Sequence, residues 1–242
     1  MRLDKYLADM GIGTRSEVKQ RIRKKQVYVN GALPAGPQQQ VNPGKDEVVC
    51  QGRVIAYLEY EYFMLNKPQG CVSAVKDQDQ QTVMDLITEK NRKDLFPVGR
   101  LDKDTEGLLI ITNDGALSHN LLAPGKHMPK TYFAKVSGQV TMIDITEFAR
   151  GIDIGEEKLT KPAKLQILSC EETVTEIMLT ITEGKFHQVK RMFEAVGKEV
   201  LFLKRLSMGG LRLDVSLAPG SYRRLTDEEI NLLKNGPPAK EN

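Results

Sequence analysis

An arginine and two aspartates stand shortly before an apolar run near the middle of the chain. Residues 99–107 read GRLDKDTEG, and LLIIT follows at 108–112, rich in β-branched side chains, before NDG at 113–115. Such a run predicts a buried β-strand that closes on a turn. Because unpaired charges are costly to bury, acidic residues at its entrance predict a loop that holds carboxylate chemistry at the edge of a sheet.

Composition is that of a globular protein with no segment for a membrane. The chain has 242 residues, of which 40% are hydrophobic and 28% charged, enough for one large domain or two smaller ones. No apolar run approaches the ~20 residues that a membrane span needs. The first residues carry charge where a secretion signal would be apolar. We therefore expect a cytoplasmic protein without a membrane partner.

Cysteine and histidine give no support for a metal site. The three cysteines are an odd number without CxxC spacing, and the three histidines are scattered. This pattern predicts neither a disulfide framework nor a zinc site.

Positive charge is concentrated at the start of the chain. Residues 1–31 hold eight Lys and Arg against three acids, a net of +5, and the rest of the chain sums to −2. This balance predicts a module that binds a polyanion, with a solvated helix face as the alternative. The basic residues proposed to bind this polyanion are Arg2, Lys5, Arg15, Lys19, Arg21, Arg23, Lys24 and Lys25.

Local patterns in this basic segment predict two helices, a strand and a turn. Apolar residues at helical spacing predict an amphipathic helix over 3–10. Thr14 or Ser16 is suited to cap a second, basic helix that runs to about Lys25. A strand and a tight Asn-Gly turn are expected over 26–31.

The remainder of the chain predicts an α+β fold. Strands outnumber helices and run in hairpins, so a largely antiparallel mixed sheet with flanking helices is favoured. We expect a small basic domain over 1–52, a linker over 53–60, a larger domain over 61–236 that holds the acidic loop, and a disordered tail over 237–242. The strands are predicted over 62–67, 108–112, 132–136, 163–168, 174–182, 200–206 and 222–225, and the helices over 142–149, 186–196 and from 226 onward.

The two carboxylates of the loop, Asp102 and Asp104, leave several chemistries open. They could jointly hold magnesium for phosphoryl transfer, although no phosphate-binding Gly-rich loop accompanies them. They could act as general acid and base, or one could be a lone nucleophile. Structural salt bridges are the simplest alternative. Lys190 and Arg191, on a predicted helix, would favour an ionised carboxylate if that helix packs behind the loop, or would face RNA.

Several motifs resemble known RNA-modifying proteins. The first ~50 residues, with TRS before the basic helix and VYVNG after it, resemble the RNA-binding module called the alpha-L motif. GRLDKDTEGLLIITNDG resembles the signature of the pseudouridine synthases in the RsuA branch. NKPQG, KTY and EGKFHQVKRMF match the other motifs of that branch in the same order, and the likeness covers essentially the whole chain.

The resemblance implies a role for each of a few residues. Asp102 matches the essential aspartate of the family, and Tyr132 the tyrosine that stacks on the target base and is a candidate proton acceptor. Lys190 matches the basic residue that pairs with the aspartate. Arg100 matches the residue proposed to fill the gap left by the extruded base. Asp104 matches no assigned role. Lys67 and Arg191 are counted with the RNA-binding residues.

The implied activity is isomerisation of one uridine of 16S ribosomal RNA, the uridine numbered 516, to pseudouridine. The reaction breaks the bond from ribose to nitrogen and rejoins the base through carbon, so it requires no cofactor and no metal. Asp102 could attack C1′ or C6, or remove the 2′ hydrogen. The expected partner is 16S RNA or a small-subunit assembly intermediate, bound by a monomer. The alternatives are an enzyme for large-subunit RNA and a non-catalytic RNA-binding assembly factor.

Overall fold

The apolar run after Gly107 forms the centre of a buried strand, as predicted. The computed structural model describes residues 1–235, so the expected tail at 237–242 lies outside the described residues. The chain divides into two units. The first comprises Met1–Glu61 and Thr88–Leu95, and the second Tyr62–Ile87 together with the described residues from Phe96 onward.

The first unit contains two helices and a three-stranded antiparallel sheet in the order β1-β2-β3. Its elements are α1 (Leu3–Asp9), α2 (Arg15–Arg23), β1 (Val27–Val29), β2 (Val48–Cys50) and β3 (Arg53–Val54). Thr14 is the N-cap of α2. Its hydroxyl accepts a hydrogen bond from the Glu17 amide, and the Glu17 carboxylate accepts one from the Thr14 amide. The predicted basic helix and its cap are therefore confirmed, with Thr14 as the capping residue.

Residues 53–60, predicted as a linker, pack within the first unit. Strand β3 pairs with β2, and the Ile55 amide donates to the Val48 carbonyl at 2.8 Å. The ring of Tyr57 lies 5.0 Å from that of Tyr6, whose hydroxyl donates to the Ile55 carbonyl. The apolar content of this segment is explained by these contacts.

Residues 88–95 also belong to the first unit, although the sequence analysis places them inside the domain predicted over 61–236. Glu61 is 1% exposed, and its carboxylate accepts the amides of Asn91 and Arg92 at 2.9 and 2.7 Å. The Arg92 guanidinium lies 3.7 Å from Asp9 of α1. Buried charges require such partners, and these contacts hold the segment against the first unit.

The second unit is built on one nine-stranded sheet. Its main path runs β12-β4-β6-β10-β7-β9-β8, with β5 paired to β6 and β11 paired to β10. All pairs are antiparallel except β6 with β10. The strands are β4 (Tyr62–Lys67), β5 (Phe96–Pro97), β6 (Glu106–Thr112), β7 (Lys130–Ser137), β8 (Lys164–Cys170), β9 (Val174–Ile181), β10 (Val200–Met208), β11 (Leu211–Arg212) and β12 (Tyr222–Arg224).

Four α-helices of the second unit accompany this sheet: α3 (Gly115–Leu122), α4 (Met142–Arg150), α5 (Gln188–Ala195) and α6 (Asp227–Asn235). A short 3-10 turn covers Pro124–Lys126. The predicted α+β class with a mostly antiparallel sheet is confirmed. None of the helices within residues 1–235 is long and apolar enough to cross a membrane.

Two local predictions differ from the structure. The sequence predicts only a turn at 113–115, but Asp114 caps α3 by accepting the Leu117 amide at 2.9 Å. The helix predicted from Phe186 begins at Gln188, because His187 has a left-handed backbone with φ of 47°. Phe186 therefore lies in the loop before α5.

Gly107 permits the parallel contact between β6 and β10. It has φ of 104°, and a Cβ atom there would lie 2.2 Å from the Arg205 carbonyl oxygen and 2.7 Å from its nitrogen. Any side chain would push the two strands apart. The entrance of the acidic loop into the sheet thus depends on this glycine.

We predict that Gly107→Ala destabilises the protein by about 3 kcal/mol or more, because steric overlap adds to backbone strain. Gly138→Ala is the matched control: φ is 73°, but nothing lies within 4 Å of its added Cβ. It should cost only about 1 kcal/mol of strain. Denaturant unfolding of both variants checks this, and equal losses would contradict the steric explanation.

Candidate active site

The acidic loop is fixed from within by a buried lysine. The side chain of Lys67, the last residue of β4, is 0% exposed. Its ammonium donates to the carbonyls of Pro68, Asp102, Lys103 and Thr105 at 3.0, 2.9, 3.3 and 2.9 Å. Burial lowers the pKa of Lys67. The prediction that Lys67 binds RNA is therefore wrong, because its donors are buried and engaged by the loop.

A second set of hydrogen bonds holds the same loop from the segment that follows β4. The Ser73 hydroxyl donates to the Leu101 carbonyl at 2.8 Å and accepts the Leu101 amide at 3.1 Å. The Gly70 amide donates to the Lys103 carbonyl at 2.8 Å. The backbone on both sides of Asp102 is thereby fixed, while its carboxylate remains 28% exposed.

Asp102 and Tyr132 line one cavity of about 140 Å³. Tyr132 lies on β7, is 7% exposed, and pairs with Arg205 on β10 in the sheet register. The cavity is next to a wider cleft of about 1060 Å³, and Asp102 and Arg100 line both. The exposed Arg100 side chain stands beside the entrance. The structure thus brings together the three residues that the sequence singled out on β7 and the loop.

Lys190, on α5, contacts both carboxylates of the loop but unequally. Its ammonium lies 3.6 Å from the Asp102 carboxylate and donates to both oxygens of Asp104 at 2.6 and 2.7 Å. Burial raises the pKa of the Asp104 carboxyl, but the bonds and charge of Lys190 outweigh it and hold that pKa below its usual range. Asp104 therefore anchors Lys190 near Asp102.

Arg191 forms hydrogen bonds and an ion pair within the protein. Its guanidinium binds Glu156 at 2.8 Å and donates to the carbonyls of Ile154 and Phe186. These contacts tie α5 to the loop before it. These partners engage three of its five N–H donors and its side chain is 26% exposed, so the RNA contact assigned to Arg191 stays a prediction.

The RNA-binding residues predicted near the N-terminus belong to the first unit. Arg2 is paired with Asp4 at 2.7 Å, and Lys5 with Asp9 at 2.5 Å. Arg21 is half-buried and donates to Gln51 at 2.7 Å. The remaining members of the set are exposed: Arg15, Lys19, Arg23, Lys24 and Lys25.

Sequence reasoning missed two buried cations of the cavity, Lys130 and Arg205. Arg205 is 3% exposed; its Nε donates to the Leu108 carbonyl at 2.8 Å, and among the described residues its Nη2 has no partner. Lys130 donates to the Met128 carbonyl, and burial together with the charge of Arg205 lowers its pKa to about 8. The sequence did contain a signal for Arg205: it stands two residues after Leu203 on a strand, so both side chains lie on the same, buried face of β10.

The missed residue closest to the acidic loop is His187. Its Nε2 lies 3.6 Å from the Asp102 carboxylate, and its ring lines both the cavity and the cleft. The sequence offers two interpretations for His187, an RNA contact or a solvated position at the start of the helix, and does not indicate the contact with Asp102. Within residues 1–235, no group of three or more His, Cys, Asp or Glu side chains could hold a metal ion.

The fold and this site define an RNA pseudouridine synthase. The RNA pseudouridylate synthase family matches residues 61–195, and the S4 domain matches residues 1–46. The chain belongs to this family, whose members isomerise uridine in RNA to pseudouridine, and it is of the RsuA type. The predicted class of activity, isomerisation of uridine in RNA, and the predicted RNA-binding domain are thereby confirmed.

Individual relatives cover nearly the full chain. "Uncharacterized RNA pseudouridine synthase YtzG" of Bacillus subtilis is 51% identical over 240 residues, covering 99% of this chain and 100% of the relative. "Ribosomal small subunit pseudouridine synthase A" of Escherichia coli K12 is 42% identical over 232 residues, covering 95% and 98%. A solved structure described as a pseudouridylate synthase is 40% identical, covers 96% of this chain and 99% of its own, and has a TM-score of 0.68.

We predict that Lys67→Met lowers both stability and activity. Loss of the ammonium leaves carbonyls of the loop without a donor, which should cost more than about 2 kcal/mol. The freed loop should reduce turnover by about a hundredfold. Lys103→Met, which removes an exposed lysine of the same loop, should leave stability unchanged. Denaturation and uridine-isomerisation assays check both variants, and a stable, active Lys67→Met would contradict the role assigned to Lys67.

The pKa of Lys130 predicts a pH dependence of stability. Its value in the fold is about 8 against an ordinary 10.5, so the folded protein loses this proton before the unfolded chain does. Below pH 8 the folded state carries the whole cost of the buried charge, and that cost disappears as pH rises toward 10.5. Lys130→Met should therefore gain most stability over wild type at pH 7 and least near pH 10. A difference in unfolding free energy that stays constant with pH would contradict this.

Proposed function

We propose that this protein converts one uridine of 16S ribosomal RNA, the one numbered 516, to pseudouridine, with Asp102 as the acting carboxylate. The observation that carries the proposal is the cavity lined jointly by Asp102 and Tyr132. Support for the small-subunit target comes from the 42% identity to the Escherichia coli enzyme named for that subunit. The protein acts in the cytoplasm, as a monomer, on 16S RNA or on a small-subunit assembly intermediate.

The reaction determines what the cavity must do. The bond between uracil N1 and ribose C1′ breaks, the base turns, C5 bonds to C1′, the proton on C5 is released to water, and N1 takes up a proton. A carboxylate held at the entrance of a small cavity is placed to act on the nucleotide as nucleophile or base. Its backbone is fixed by Lys67 and Ser73, so little motion of the loop is needed to reach the reactive geometry.

The target base must leave its stack before it can enter this cavity. Extrusion costs a few kcal/mol, and stacking on the Tyr132 ring offsets on the order of 1–3 kcal/mol of it. Arg100, exposed at the entrance, is placed to occupy the gap in the RNA. Lys130 and Arg205 supply positive charge along the cavity, which favours the electron-rich carbonyl oxygens of uracil.

Lys190 and the first unit complete the assignment. Lys190 holds a positive charge 3.6 Å from the Asp102 carboxylate and pairs with it. The exposed basic residues of α2 contact the phosphates of the RNA, which fixes its position without reading its sequence. The catalytic set is therefore Asp102, Tyr132 and Lys190.

Tritium release from C5-labelled uridine in 16S transcripts or assembly intermediates tests the proposal. Asp102→Asn should reduce release at least about a hundredfold, because the amide is neither a base nor a nucleophile. Asp79→Asn is the matched control, since it makes the same change at an exposed position that lines neither the cavity nor the cleft and should retain wild-type activity. Release that survives Asp102→Asn would disprove the role of Asp102.

The same assay separates the target from its alternatives. Carbodiimide modification with primer extension should place the product at position 516 of 16S RNA. Release from 23S RNA alone would identify a large-subunit enzyme instead. A magnesium-dependent reaction at Asp102 and Asp104 would stop with a chelator, whereas isomerisation should be unaffected.

A further inference from the structure

Phe186 is exposed to an extent that the fold does not explain. Its side chain is 70% exposed, more than any other aromatic residue in the described part of the chain. It lies outside α5, whose buried face is formed by Val189, Met192 and Phe193. The ring instead lines the wide cleft, together with Arg100 and Asp102.

The ring is held in place although it is exposed. It stacks on the imidazole of His187, with centroids 3.8 Å apart and planes inclined by 18°. The Phe186 carbonyl accepts a bond from Arg191 at 3.2 Å. Arg191 binds Glu156, which also binds Lys185 at 3.1 Å. One face of the phenyl ring is therefore covered by an imidazole, and the opposite face is left open.

The stacked pair leads from the acidic loop into the cleft. His187 contacts the Asp102 carboxylate at 3.6 Å and lines both the small cavity and the cleft, whereas Phe186 lines the cleft alone. The Phe186 ring is therefore stacked on His187, the residue that contacts the Asp102 carboxylate. Lys103 and Lys185 add positive charge along the same cleft.

We propose that Phe186 and His187 form a stacking platform for the base adjacent to the target uridine. This inference rests on the proposed function, because it assumes that an extruded uridine occupies the cavity of Tyr132. An RNA strand that delivers one nucleotide to that cavity continues through the cleft, where its phosphates meet the cations. An open aromatic face there matches the flat face of the next base, since stacking is available to any base.

Steady-state kinetics with a 16S transcript tests the platform. Phe186→Ala should raise KM about tenfold, the effect of losing one stacked base, and leave kcat within a few-fold. Phe186→Tyr keeps the ring and should behave as wild type. Since the ring is exposed, neither change threatens folding. A KM that stays unchanged in Phe186→Ala would overturn the proposal.

Removal of the partner base provides the matched experiment. Two substrates carry an abasic site, one on the 5′ side and one on the 3′ side of the target uridine. For the wild-type protein, KM should rise for the substrate that lacks the base stacked on Phe186. The same substrates should have little further effect on Phe186→Ala, because the interaction is already lost. Additive effects of the two changes on both sides would overturn the platform.

A binding measurement keeps this test separate from the activity. The chain contains no tryptophan, so Phe186→Trp introduces a single indole into the cleft, which can be excited selectively at wavelengths that the seven tyrosines do not absorb. Its emission should be quenched by a 16S fragment, whereas Met142→Trp, at an exposed position on α4, should not respond. Absent quenching would overturn the platform while tritium release still supports the function. Quenching without release would disprove the function and leave an RNA contact at Phe186.

Discussion

The active-site loop depends on one buried ammonium group. Lys67 ends β4, and its register places it opposite Gly107 on β6, directly below the loop that carries Asp102. Burying a charge is costly, and four carbonyl acceptors offset that cost here. Because the donor is placed by sheet pairing, the position of the loop backbone at Asp102 follows from the core of the second unit.

Charge around the cavity is divided between groups that are paired and groups that are not. Asp104 engages Lys190, and Glu156 engages Arg191, so these cations serve to position α5 and its preceding loop. Arg205 is different, because it is buried beside the cavity and its Nη2 has no partner among the described residues. A buried donor without a partner is costly in the free protein, and a substrate oxygen that accepts from it recovers that cost.

Local signals in the sequence predicted most of the fold. The run at 108–112, the Thr14 cap and the Thr226–Glu229 capping box were all recognisable, because periodicity and capping act within a few residues. Lys67 was misassigned because residue type does not reveal burial. Phe186 was placed in a helix because the apolar pattern of α5 continues through it, whereas the left-handed backbone of His187 ends that helix. The partners of Glu61 lie 30 residues away, beyond any local pattern.

The division of the chain has a consequence for the order of folding during synthesis. The polypeptide passes between the two units after residues 61, 87 and 95. The first unit obtains two backbone donors for Glu61, and a guanidinium near Asp9, from residues 91 and 92. Its apolar core is formed by residues that precede β4, so the contacts of residues 91 and 92 are added to that core after β4, a strand of the other unit, has been synthesised. The RNA-binding module that begins at the N-terminus is thus completed only after the first strand of the other unit's sheet has been synthesised.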